Sequence, residues 1–135
     1  IMQSENFKEG SFQNIEPTKV MLKEASTLKV LKQFMNKPST TEPKSVLPSI
    51  KTDLKNLNSN KPVIIWFGHS SYLIRYQNFT VLVDPVFSGY ASPIGIFGKA
   101  FPGSDVFNVD DLPPIDLLLL THDHYDHLDY NTIVK

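Results

Sequence analysis

The sequence predicts an α/β fold, and three stretches carry that expectation. Val63-Ile64-Ile65-Trp66-Phe67 is a β-rich apolar run ended by Gly68. Ser71 to Tyr76 and Phe79 to Asp84 are two further strand candidates on either side of Gln77-Asn78, the spacing of a hairpin. Ile115 to Leu120 is a strand-sized apolar run that passes through a polar burst into the start of a helix.

Taken in chain order, the first element is helical. Between Pro17 and Lys37, Met21, Ala25, Leu28, Leu31 and Met35, joined by Leu22 and Phe34, recur at three- and four-residue steps. Pro17 suits a first turn and Pro38 closes the segment. Lys19, Lys23, Lys29 and Lys32 make the other side polar. A Lys-rich amphipathic helix of this kind can lie on a membrane surface. Packing of its apolar stripe on the domain is the favoured reading. Residues 37–62 follow as a linker or wrapping arm, with Pro38, Pro43, Pro48 and Pro62 among Ser, Thr, Asn and Lys.

Beyond the hairpin, Pro85 cannot continue a central strand, so the second hairpin strand should stop at Asp84. A glycine- and aromatic-rich loop runs from Val86 to about Phe107, and Asp110 to Pro114 forms a turn into the next strand. That strand, Ile115 to Leu120, is apolar on both faces and is expected inside a sheet covered on both sides. Asp129 is placed to cap the helix that follows.

Composition narrows the function classes. The 135 residues suffice for one small domain with a core. A net charge of −1 and a single arginine, Arg75, leave nucleic-acid recognition poorly supplied, so no nucleic-acid partner is expected. There are no cysteines, which excludes disulfides and thiolate metal sites. No apolar run approaches the ~20 residues that cross a bilayer. The first ten residues do not resemble a secretory signal, although the chain begins at Ile1 and leaves an upstream signal or anchor open. The expected location is cytoplasmic or membrane-peripheral.

The polar burst carries the chemistry. Thr121-His122-Asp123-His124-Tyr125-Asp126-His127 places three of the four histidines within six residues, in the order His-x-His-x-Asp-His. In an extended segment, residues two apart point the same way, so His122 and His124 can grip one metal side by side. As the backbone turns toward the helix, Asp126 and His127 can reach a neighbouring position. Imidazole and carboxylate without thiolate suit zinc, with iron or manganese as alternatives. The bland alternative is a His-rich surface loop or a hydrogen-bonded Asp–His cluster, which gives no reason for this order directly after a buried strand.

Other residues join this motif. His69, in Gly68-His69-Ser70-Ser71, either faces the metal site and positions substrate or, as the favoured reading, is a core or supporting histidine bonded to the backbone. Asp84 is read as a carboxylate that orients a ligand histidine rather than as a catalytic base. Phe87, Tyr90, Ile94, Ile96, Phe97 and Phe101 either line a groove for an acyl chain or plug the sheet edge.

At these residues the chain resembles the metallo-β-lactamase fold superfamily, and within it the branch of N-acylphosphatidylethanolamine-hydrolysing phospholipase D and its bacterial relatives. The stretches that carry the resemblance are Trp66 to Ser71, Asp84 to Ser88, Ala91-Ser92-Pro93, Leu112 to Asp116 and His122 to Thr132, within residues 62–135. The resemblance implies a four-layer αββα sandwich with two zinc ions at the sheet edge. His122 and His124 would hold the first, Asp126 and His127 the second. A bridging hydroxide would attack a phosphodiester or other ester, with Asp126 as the catalytic residue that helps orient it. Residues 62–135 would be the N-terminal half of that domain, and residues 1–61 an extension with its helix at 18–36. The family also needs a further histidine, a bridging aspartate and a last histidine downstream of this motif, so the missing half is expected in cis or as a partner chain. The chain alone is expected to be incomplete and inactive. The function implied is zinc-dependent hydrolysis of a small-molecule or lipid-like ester, a phospholipase D-like phosphodiesterase first, with peripheral membrane contact open. A lactonase or esterase on the same metal pair is the nearest alternative, and a non-catalytic metal-binding fragment that needs a partner chain is another.

Overall fold

The structure, a computed structural model, describes residues 4–16, 26–92 and 98–135. It separates into two compact units, Ile1–Thr41 and Glu42–Lys135. In the first, strands β1 (Phe7–Lys8) and β2 (Ser11–Phe12) pair as a small antiparallel ribbon, with the rings of Phe7 and Phe12 edge-to-face. Helix α1 (Thr27–Met35) starts where the Ser26 side chain accepts the Lys29 N–H at 3.1 Å, closing an orphan donor of the first turn. Leu28 and Met35 of the expected stripe lie on this helix. Pro17, Lys19, Met21, Leu22, Lys23 and Ala25 lie outside the described residues, as do Pro93, Ile94, Ile96 and Phe97 of the aromatic loop. No helix among the described residues is long and apolar enough to cross a membrane.

The second unit is a mixed, sheet-rich α/β arrangement. Four strands, β3 (Val63–Gly68), β4 (Ser71–Tyr76), β5 (Phe79–Val83) and β6 (Leu117–Leu119), lie side by side in chain order. The first three are antiparallel, and β6 joins β5 in parallel. The hairpin between β4 and β5 turns at Gln77-Asn78 as the sequence indicates, with Tyr76 opposite Phe79. Register fixes the two faces, because side chains directly opposite share a side. Ile65, Leu73, Leu82 and Leu118 form one row, and Leu54, Phe67, Leu73, Leu82 and Phe107 make the buried core on that side. Rows Ile64–Ile74–Val81–Leu117 and Trp66–Tyr72–Val83–Leu119 belong to the other face.

Two expectations need correction. The strand expected over Ile115 to Leu120 forms only at Leu117–Leu119, and among the described residues it is the edge of the sheet rather than an interior strand. All three leucines are exposed, so the two-sided apolar pattern finds no cover on this unit. The arm is also more than a linker. Leu54, 1% exposed, is one of the most deeply buried side chains. The arm is further tied by Leu47 N–H to the Pro102 carbonyl at 2.9 Å and by Lys51 to Asp111 at 3.0 Å. The expected turn before β6 is present as a 3₁₀ segment at Val109–Asp111, where Asn108 and Asp111 cap each other reciprocally.

Candidate metal centre

Strand register decides which residues meet. In the row Trp66–Tyr72–Val83–Leu119, β3, β5 and β6 are all near their carboxyl ends and β4 is near its start. The chain leaves that row through the β3–β4 turn at His69, through Asp84 after β5, and through Thr121 after β6. These three exits emerge on one edge of the sheet. This is the edge where proteins with parallel strands commonly place ligands.

Asp84 organises the centre. It has a left-handed backbone (φ 41°), is 1% exposed, and its own N–H still bonds the Leu119 carbonyl at 3.0 Å. Its carboxylate accepts the Thr121 N–H at 2.8 Å and the Thr121 hydroxyl at 2.6 Å, and it faces His127 Nδ1 at 2.8 Å. Burial alone would raise the Asp84 carboxyl, but the hydrogen bonds from Thr121 and His127 outweigh it and hold it below the ordinary carboxylate range.

An ionised carboxylate only accepts, so the proton between Asp84 and His127 sits on Nδ1, which leaves Nε2 as the ring nitrogen turned away from Asp84. The Thr121 hydroxyl has one proton and gives it to Asp84. Toward His122 Nδ1, at 3.1 Å, its oxygen is therefore an acceptor, which places the His122 proton on Nδ1 and frees Nε2. The reading of Asp84 as an orienting carboxylate thus has the hydrogen-bond pattern it needs.

The remaining residues gather around Asp126. Nitrogen and oxygen donors of His122, His124 and Asp126 lie within 4.8 Å of one another, and so do those of His69, Asp126 and His127. Asp126 belongs to both groups. The His122 and His124 rings are 4.7 Å apart, and the His122 and His127 rings 3.7 Å. Of the favoured reading of His69 as a core or supporting histidine bonded to the backbone, the core part does not hold. The His69 side chain is 61% exposed, and Nε2 is 3.0 Å from Asp126 Oδ2. Its backbone carbonyl is the group held in place, by the Trp66 indole N–H at 2.9 Å. Four imidazoles around one carboxylate, without thiolate, form a donor set that fits a divalent metal.

Two features escaped sequence reading. Thr121 has no signature as a single threonine, and its role depends on Asp84, 37 positions away. Asp129 caps α2 (Tyr130–Ile133) by position but makes no side-chain bond to the helix backbone. Its carboxylate instead accepts the Thr132 hydroxyl and, at 2.8 Å, the Ser88 N–H, tying the helix start to the loop after β5.

Beside the centre lies a cavity of about 420 Å³ lined by Trp66, Phe67, Phe87, Tyr90, Phe101 and Phe107, and it reaches His69 and Asp126. The described part of the aromatic loop therefore forms a wall of a cavity next to the metal donors. Phe67 is packed edge-to-face on both Phe87 and Phe107, at 5.1 Å each.

A histidine–aspartate centre at the strand ends of a sheet-rich α/β unit defines a class of metal-dependent proteins. Residues 63–135 match the family described as the beta-lactamase superfamily domain, and the chain belongs to that family. The chain is similar to an uncharacterized protein of Mycobacterium tuberculosis, 29% identical over 133 residues, covering 98% of this chain and 36% of that protein. It is also similar to the N-acyl-phosphatidylethanolamine-hydrolyzing phospholipase D 1 of Caenorhabditis elegans, 32% identical over 70 residues, 52% of this chain and 20% of that one. A metal-dependent hydrolase of Hyperthermus butylicus is 33% identical over 63 residues, 47% of this chain and 22% of the hydrolase. The chain thus spans little more than a third of the first of these relatives and less of the other two.

Proposed function

We propose that the intact protein is a zinc-dependent hydrolase that cleaves a phosphodiester in phospholipid-like substrates. The observation that carries this is Asp126, shared by two histidine groups at the mouth of an apolar cavity. In this reading His122 and His124 hold the first ion, and Asp126 and His127 the second. Iron or manganese would suit the same donors. Bound there, two such ions supply a water ionised near neutral pH and stabilise the charge that develops on the attacked ester. The residues of this chain do the rest. Asp84 and Thr121 engage Nδ1 of His127 and His122 and so turn Nε2 of each ring toward the ions, Asp126 orients the attacking water, and His69 lines the cavity where it reaches the centre. The cavity receives the apolar part of the substrate.

The fold proposed is the four-layer αββα sandwich, with residues 62–135 as its N-terminal half and residues 1–61 as an extension. The relatives' greater length supports placing the activity on the intact protein, with the remaining donors supplied in cis or by a partner chain. A lipid substrate would bring the protein to a membrane surface, from a cytoplasmic or membrane-peripheral location.

The test begins with elemental analysis of the purified intact protein, where about two zinc ions per chain are expected. Turnover is then compared on a phosphodiester lipid and on an aliphatic lactone. We expect the phosphodiester to be cleaved, and turnover of the lactone alone would replace the substrate class. His124→Ala should lower both metal content and hydrolysis, the latter by at least ~100-fold, the upper end of what the loss of a residue supporting a ligand does. Unchanged turnover in that variant would sink the metal-hydrolase reading.

A further inference from the structure

We propose that His69 is a donor at the second metal position, where with Asp126 and His127 it makes a three-residue set from this chain. The inference rests on the metal-centre reading above and adds a ligand which that reading does not assign.

The β3–β4 register shifts between Trp66 and Gly68, and the turn that follows is left-handed twice over, at Gly68 (φ 115°) and His69 (φ 44°). Glycine adopts that conformation freely, whereas a residue with a Cβ does so only when its surroundings hold it. Here the Trp66 indole N–H holds the His69 carbonyl. Strained residues of this kind collect at functional sites, where the strain aims a side chain.

The side chain is aimed at Asp126. Nε2 stands 3.0 Å from Asp126 Oδ2, and the ring is 5.2 Å from that of His127. An ion pair between two groups this exposed, 61% and 38%, contributes little by itself. It is a weak reason to keep a histidine in a disfavoured turn. A shared cation is a better one. His127 Nδ1 is committed to Asp84, so its Nε2 faces Asp126, and that separation is 3.9 Å. Two donor groups thus share one carboxylate, His122 and His124 with Asp126 in one and His69 and His127 with Asp126 in the other. Each position has two imidazoles and a share of Asp126, a donor set suited to zinc, iron or manganese.

The experiment uses the intact protein stripped with a chelator, then titrated with Zn²⁺ by calorimetry and with Co²⁺ by visible absorption. Wild type is compared with His69→Ala and His69→Asn. Asparagine tolerates the left-handed turn, so the second variant keeps the backbone while removing the imidazole. Wild type should bind two ions. In both variants the weaker-binding ion should lose at least tenfold in affinity, with a changed Co²⁺ spectrum, while the other ion binds as before. If both variants bind two ions with wild-type affinity and spectrum, His69 is not a donor and the two-metal reading stands without it. If the affinity lost is that of the position His124→Ala also removes, the assignment to the second position is wrong. Wild type that binds no metal would overturn the metal reading itself.

Discussion

A single hydroxyl at Thr121 links the buried carboxylate of Asp84 to the histidines of the centre. It donates to Asp84 and accepts from His122, while Asp84 fixes His127. Removing the hydroxyl while keeping the shape should therefore leave the fold but loosen the metal. Thr121→Val is expected to weaken metal binding in the intact protein by about 10–100-fold, the usual effect of losing a partner behind a ligand. Thr121→Ser should restore most of it. Equal affinity in all three proteins, measured by competition with a chromophoric chelator, would show that the hydroxyl does not govern the ligands. Much of the centre was legible from residue types and spacing alone. His122, His124, Asp126 and His127 are near neighbours in sequence, and local alternation and turning bring them together. The link from Asp84 to this group was legible in outline, because a strand-ending Asp-Pro points a carboxylate off the sheet edge. The role of Thr121 was hidden, and the choice between the two readings of His69 was left undecided, for one reason. Their roles depend on strand register, which aligns positions 69, 84 and 121, and no local pattern reports register.

The elements show the same division between local and distant information. The β4–β5 hairpin could be read because its turn is two residues long and both flanks are β-rich. The arm could not. Leu54 has only Ile50 and Leu57 near it among Asp, Lys and Asn, too little pattern to mark an element, yet it is 1% exposed against Phe67, Leu73, Leu82 and Phe107. Deleting its side chain should leave a cavity under the sheet. Leu54→Ala in the intact protein is expected to cost about 2–5 kcal/mol in urea unfolding, as for other buried leucines. The arm also approaches the aromatic loop closely at Gly103, which has φ 93° and sits where an added methyl would strike the Leu47 backbone. Gly103→Ala should therefore destabilise by a comparable route, through a clash and a disfavoured backbone together. If both variants unfold at the wild-type urea concentration, the arm is not part of the core.

On the scale of the whole molecule, the sheet is finished on one face and open on the other. The core row is covered by the arm and the aromatic loop as far as Leu82, while Leu118 at its end is 41% exposed; on the other face Ile64 is 66% exposed, Trp66 69%, Leu117 46% and Leu119 42%. Contiguous apolar surface of this kind is unusual on a protein that stands alone and marks a face meant to be covered. Strand β6 adds to the exposure, since among the described residues it pairs with β5 only and presents an open edge. The apolar pattern of Ile115 to Leu120 led to the expectation of an interior strand covered on both sides, whereas among the described residues β6 is an exposed edge. On the proposal that the rest of the intact protein covers this face, the 135-residue chain alone should bind a hydrophobic dye such as ANS and self-associate as its concentration rises. The intact protein should do neither. Trp66, the only tryptophan among these residues, lies on the open face and reports the same difference. Its emission should be red-shifted in the chain alone. For the intact protein, a variant with the other tryptophans replaced should show Trp66 emission shifted to the blue, as expected of an indole removed from water. Equal dye binding and equal Trp66 emission in the two proteins would mean that the face stays open in both.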